Sequence, residues 1–287
     1  MSEAPSTPEA RSRQEARAAL EAAGRLPEGE LDLAAVALQC ARIDRPEADW
    51  RAAAATISAL TRDLLEAVAA DPQADAGDLE RRRLAIASVL EGFAGDSETY
   101  DDLANANLIA VLARRRGLPV ALGLLWLHLA EAAGWPAHGI DFPGHFLIAL
   151  EGPGGALVID PFHGGIALDA PALRQLLKTF EGEKAELRPG VLVPMGKRAV
   201  LLRLQTNIKL RRLGAGDLEG ALTCAEDMLR FAPETAMLWR ETGLMNARLD
   251  RLTAALTSLE RFLALVPAGE AADRVRHLIE ELRQRLN

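Results

Sequence analysis

The sequence is poor in cysteine, in aromatic side chains and in net positive charge, and each shortage removes a class of protein. It has two cysteines, Cys40 and Cys224. They match no zinc-finger spacing, and two distant thiols do not make a disulfide-stapled secreted domain. Aromatic residues are 4% of the chain. Basic residues number 33 against 41 acidic ones, a formal net charge of -8. That balance argues against general binding to a nucleic-acid backbone, which needs a positive field. The arginine runs at 81–83, 114–116 and 211–212 read as solvated helix faces. No helix-turn-helix pattern with a basic recognition helix is present. Long hydrophobic runs are also missing. The longest, Leu118 to Ala130, contains His128 and is too short to span a bilayer. Met1 to Ala10 has no basic start followed by an apolar run, which predicts no signal peptide and a cytoplasmic location.

What is present is enough apolar material for a substantial core: 49% of 287 residues, much of it alanine and leucine, which favours helix. Residues 1–12 read as a flexible tail. Helices are expected at Arg13–Ala23, Leu31–Ile43, from Pro46 to about Ala70, at Leu79–Leu90 and at Asp102–Arg115. Val120–Ala133 is apolar on every side and reads as a buried central helix. The texture then changes. His138–Asp141, His145–Leu150 and Ala156–Ile159 are short apolar runs separated by Pro143-Gly144 and Pro153-Gly154-Gly155, the pattern of antiparallel strands and tight turns. Pro171–Phe180 is a further helix, and the polar stretch to Gly190 reads as a boundary. The expected organisation is a tail at 1–12, an α+β domain at 13–190 and an all-α repeat domain at 191–287.

The repeat reading rests on spacing. Pro233 and Pro267 stand one tetratricopeptide period apart, as do Ala221 and Ala255. Trp239, Gly243, Ala255 and Pro267 occupy the motif's usual positions in the second unit; Thr242 and Lys209 depart from it. Small residues let paired helices approach, and proline stops the second helix.

The chemistry-bearing stretch is Gly139 to Leu147 followed by Val158 to Gly165. His145 starts one expected strand and Asp160 ends its neighbour. Such a hairpin can set a carboxylate against an imidazole, fixing its tautomer. A nucleophile beside them would come from a helix start, where amide hydrogens lower a thiol pKa. His138, Asp141, His145, Asp160 and His163 are also chemically suitable metal ligands, though in no familiar zinc spacing. No glycine-rich loop leads from strand to helix as a nucleotide site requires, so no cofactor is expected.

Gly117-Leu118-Pro119-Val120-Ala121-Leu122, then Phe142 to Leu147, then Ile159-Asp160-Pro161-Phe162, resembles the transglutaminase-like domain of a bacterial family. That family carries a C-terminal tetratricopeptide tail and is often labelled a regulator of sirC expression. Asn105 and Val111-Leu112 also match. The resemblance implies a papain- or transglutaminase-like α+β core with a central buried helix and a small antiparallel sheet, followed by helical repeats. In that superfamily a Cys-His-Asp triad performs acyl transfer or hydrolysis. Carried over, the histidine falls on His145 and the aspartate on Asp160; the cysteine position falls on or beside Pro119, which has no nucleophile. The expectation is therefore a non-catalytic binding or scaffold protein for a protein or peptide partner, with His145 and Asp160 lining a groove or left as vestiges. The alternatives are a hydrolase or acyltransferase using Cys40 as an atypical nucleophile, and a metal-dependent hydrolase. Cys40 sits in an apolar helix and reads first as a buried structural thiol; Cys224, in the repeats, carries no catalytic expectation.

Overall fold

Among the described residues, aspartate or asparagine side chains cap the starts of six α-helices. The computed structural model describes residues 7–71, 77–188 and 190–286; the expectations that fall on residues 1–6, Pro72 and Pro189 lie outside them. The chain divides into two compact units, one of Met1–Ala16 with Pro27–Leu204, the other of Arg17–Leu26 with Gln205–Asn287. Helix α1 is Pro8–Gly24, so it takes in residues 8–12 of the expected flexible tail. Ser12 accepts from Arg42 Nε at 2.8 Å, which ties that stretch to the next helix. α2 is Leu33–Asp44, α3 Trp50–Ala70 and α4 Leu79–Val89, with the side chains of Asp32, Asp49 and Asp78 accepting first-turn amide hydrogens. Asp49, not Pro46, therefore begins the third helix.

A long helix expected from Asp102 is interrupted. Leu103–Asn105 is a single 3-10 turn capped by Asp102, and α5 is Leu108–Arg114, capped by Asn107. Two caps five residues apart compete, and each starts its own short helix. The two-residue strand β1, Ala94–Gly95, pairs in parallel with β2, Arg116–Gly117. The central helix α6 is Pro119–Ala132, buried almost throughout.

The main sheet is antiparallel. It contains β3 (Ala137–Phe142), β4 (His145–Gly152), β5 (Gly155–Asp160), β6 (Ile166–Ala167) and β7 (Val193–Met195), in the order β6-β5-β4-β3-β7. β7 lies beyond the boundary expected at 190, and its pairing with β3 keeps the first unit going past that point. α7, Ala170–Glu181, starts at an Asp169 cap and lays Leu173 and Leu177 on Ile140, Phe142, Leu147 and Ala149. The alternate residue Phe146 meets α6: a Cβ on Gly123 would stand 2.3 Å from its ring.

The division between the units falls within α8, Lys197–Gly214. Then come α9 (Leu218–Phe231), α10 (Ala236–Arg248), α11 (Leu252–Leu265) and α12 (Glu270–Leu286). Gly243 lets α10 approach α11, since a Cβ there would meet Leu259 at 2.6 Å. Trp239 Nε1 donates to Pro233 O at 2.7 Å. The departures from the motif are accommodated: Thr242 donates its hydroxyl to Leu238 O, and buried Lys209 pairs with Glu241. No described helix is long and apolar enough to cross a membrane.

Candidate functional site

His145 opens β4 directly after a turn at Gly144, whose φ is +68°. A Cβ on Gly144 would also lie 2.3 Å from the Phe180 ring, so glycine is required both by backbone and by space. Asp160 closes β5, the neighbouring strand. The two side chains meet, with His145 Nε2 3.0 Å from Asp160 Oδ1, and both are buried. Asp160 Oδ1 also accepts from the Phe162 amide at 2.9 Å, and Oδ2 lies 2.8 Å from His163 Nδ1. Burial pushes the Asp160 carboxyl up, but hydrogen bonds and charge from His145 and His163 outweigh it and hold the group below the usual range. An ionised carboxylate only accepts, so the His145 Nε2 hydrogen is donated to it. Among the described residues Nδ1 has no hydrogen bond.

Aromatic rings enclose His145. Phe180 stacks on it at 5.8 Å between centroids, and Phe162 meets it edge-on at 6.0 Å. Arg203 Nη2 donates to His145 O at 2.5 Å, forms an ion pair with Asp141 and lies 5.8 Å over the Phe146 ring. Burial pushes the Arg203 guanidinium down from its ordinary value, partly offset by Tyr100.

A second set of contacts ties the Asp160 loop to the start of α6. The Gly95 amide donates to Phe162 O at 2.9 Å, and the Asp96 amide donates to Gly117 O at 3.2 Å. A Cβ on Gly95 would lie 2.3 Å from the Phe162 ring. Asp96 accepts from the amide and hydroxyl of Thr99 at 2.8 and 2.7 Å, and from Arg114 at 2.8 Å. Those bonds, Thr99 foremost, hold its carboxyl at about 2. Asn105, fully buried, donates to Thr99 O at 2.7 Å. Of these residues the sequence singles out Asn105, Gly117 and Phe162, and Arg114 only as part of a solvated run; it does not single out Gly95, Asp96 or Thr99. Asp96-x-x-Thr99, an acid followed three residues later by a hydroxyl, was the available signal for the loop.

The other expected site residues are placed as follows. Pro119 is the first residue of α6, and Leu118, Pro119, Val120 and Ala121 are all buried. Unlike α2, α3, α4, α5 and α7, this helix has no side-chain cap. Cys40 is buried on α2, which packs on α3, α5 and α6. Of the five candidate metal ligands, three gather: one ligand atom each of His145, Asp160 and His163 lies within 4.8 Å of the others. His138 pairs instead with Glu151 at 2.7 Å, and Asp141 with Arg203. His128 sits apart, 3.2 Å from Thr61 Oγ1, and the buried Cys224 lies 3.6 Å from Gln205 O.

Residues 52–206 match the Transglutaminase-like superfamily, more than half of the chain. The chain belongs to this superfamily. Residues 208–280 match the tetratricopeptide repeat. A UPF0162 protein of Xylella fastidiosa is 33% identical over 68% of this chain and 71% of its own length. A UPF0162 protein of Vibrio cholerae is 31% identical over 67% and 71%. Protein SirB1 of Salmonella typhimurium is 30% identical over 60% and 64%. The transglutaminase-like match includes His145, Asp160 and the start of α6, and it ends within α8.

Proposed function

We propose that this transglutaminase-like protein binds rather than cuts: it is a regulatory scaffold of the cytoplasm whose repeat unit holds a protein or peptide partner. The start of α6 carries the reading. Where the superfamily resemblance expects a cysteine, the chain has Leu118, Pro119 and Val120, all buried and none able to attack a carbonyl. The His145–Asp160 pair is then a groove-lining or vestigial feature, a base without a nucleophile. Cys40 does not join the cluster that holds His145, which weighs against it as a substitute thiol.

The repeat unit supports the partner half of the reading. A cavity of about 470 Å³ is lined by Leu229, Trp239, Thr242, Asn246, Ser258 and neighbours. It offers an aromatic face and an amide at a size suited to one or two peptide side chains. The regulatory part rests on the label carried by the resembled family, and the paucity of cysteine suits a reducing compartment.

The test uses the full-length protein with a glutamine-containing donor peptide and a primary amine, scored for both transfer and hydrolysis. Wild type is expected to stay at the background of the His145→Ala variant. Turnover that disappears in His145→Ala or in Cys40→Ala would overturn the reading. For the partner half, an immobilised peptide library should show binding that Asn246→Leu weakens at least about tenfold, the loss of one buried hydrogen bond.

A further inference from the structure

Three of the side chains that meet at the end of the sheet have more in common than a proton network. His145 Nε2 and His163 Nδ1 approach the two oxygens of one carboxylate, at 3.0 and 2.8 Å. Two imidazoles and one carboxylate are a donor set that zinc accepts in open sites, where water or another small ligand takes the fourth position. Around a tetrahedral ion with bonds of about 2.1 Å, neighbouring donor atoms stand roughly 3.4 Å apart. The nitrogen–oxygen separations already lie near that value. No pair in the cluster exceeds 4.8 Å, so convergence on one ion needs at most about 1.4 Å of movement. His163 can supply it, because its side chain is 57% exposed while His145 and Asp160 are held.

The surroundings favour a cation more than the nearby arginines oppose it. Arg203 beside His145 is paired with Asp141, and Arg83, which donates to Gly165 O, is paired with Glu80. The Phe162 amide holds the carboxylate from outside, the kind of support that orients a ligating group. Phe162 and the half-exposed Phe180 flank the His145 ring.

We propose that His145, Asp160 and His163 form a binding site for one divalent transition-metal ion, with zinc as the ion of best fit. The ion takes the place of the two imidazole hydrogens that face the carboxylate. Those hydrogens move through solvent to the opposite ring nitrogens, Nδ1 of His145 and Nε2 of His163, and both rings stay neutral. Magnesium and calcium, which seek six or more oxygen donors, do not suit this set. The proposal goes beyond the scaffold reading and is tested without any substrate.

Untagged full-length protein, stripped with chelator, is titrated with zinc chloride in a calorimeter and with cobalt(II) in an absorbance cell. One ion per chain is expected, with visible d–d bands for cobalt. His163→Ala should still fold cooperatively, because the side chain it removes is exposed, with only a modest drop in melting temperature from the lost bond to Asp160. It should nevertheless weaken zinc by more than about 100-fold, beyond the effect of losing an outer-shell partner, and abolish the cobalt bands. His138→Ala, which alters the separate pair with Glu151, should change neither. Absence of zinc binding in the wild type, or undiminished binding in His163→Ala, would overturn the proposal. So would a loss confined to His138→Ala.

Discussion

Asp96 does at the residue scale what Asp160 does: it stays ionised in a buried place because several donors converge on it. Thr99 supplies two of them and Arg114 a third. Its pKa falls from the ordinary 3.8 to about 2 in the folded chain. A depressed carboxylate pKa adds stability that is complete above the unfolded value and is lost as pH drops through the folded one. Melting temperatures measured between about pH 4 and pH 2 should therefore fall for the wild type. Asp96→Asn should start lower at neutral pH and fall less steeply across that window. Equal slopes for the two proteins would show that Asp96 does not carry this acid sensitivity.

At the scale of elements, two glycines decide how closely helices approach their neighbours. Alanine is the better helix former by about 1 kcal/mol. At Gly123, however, a Cβ would stand 2.3 Å from the rigid Phe146 ring, and overpacking of that kind costs about 1–3 kcal/mol. The overpacking wins, so Gly123→Ala should destabilise, read as a lower denaturant midpoint with unchanged slope. At Gly243 the obstacle is the Leu259 side chain at 2.6 Å, which can turn aside, so Gly243→Ala should cost less. A stabilised Gly123→Ala would mean that α6 can slide off β4.

For the whole molecule, division into two compact units has a thermodynamic consequence. Chains of more than one unit depart from two-state unfolding. Scanning calorimetry should show a transition that needs two components. Gly123→Ala should lower one of them and Gly243→Ala the other. A single component shifted by both substitutions would mean that the units unfold as one.

Much of this architecture was legible in the chain. Asp32, Asp49, Asp78, Asn107, Asp169 and Asp217 cap helices through their own side chains, so those starts follow from local chemistry, although the expected starts at Pro46 and Asp102 miss the caps at Asp49 and Asn107. The tight turns at Pro143-Gly144 and Pro153-Gly154 define the hairpins that bring His145 to Asp160, and the repeat prolines and small residues mark the helical pairs. What stayed hidden depends on partners distant in sequence. β7 is three residues long and exists through its pairing with β3. Arg203 reaches the His145 carbonyl from a helix 58 residues on. Phe162 is positioned by Gly95, and Asp96 acquires its charge environment from Arg114. Local sequence thus determined the elements, because caps, turns and periodicity act within a few residues. The tertiary structure alone decided that His163 joins His145 and Asp160 while His138 and Asp141 leave them, because ligand sets and ion pairs depend on distances that only chain packing fixes.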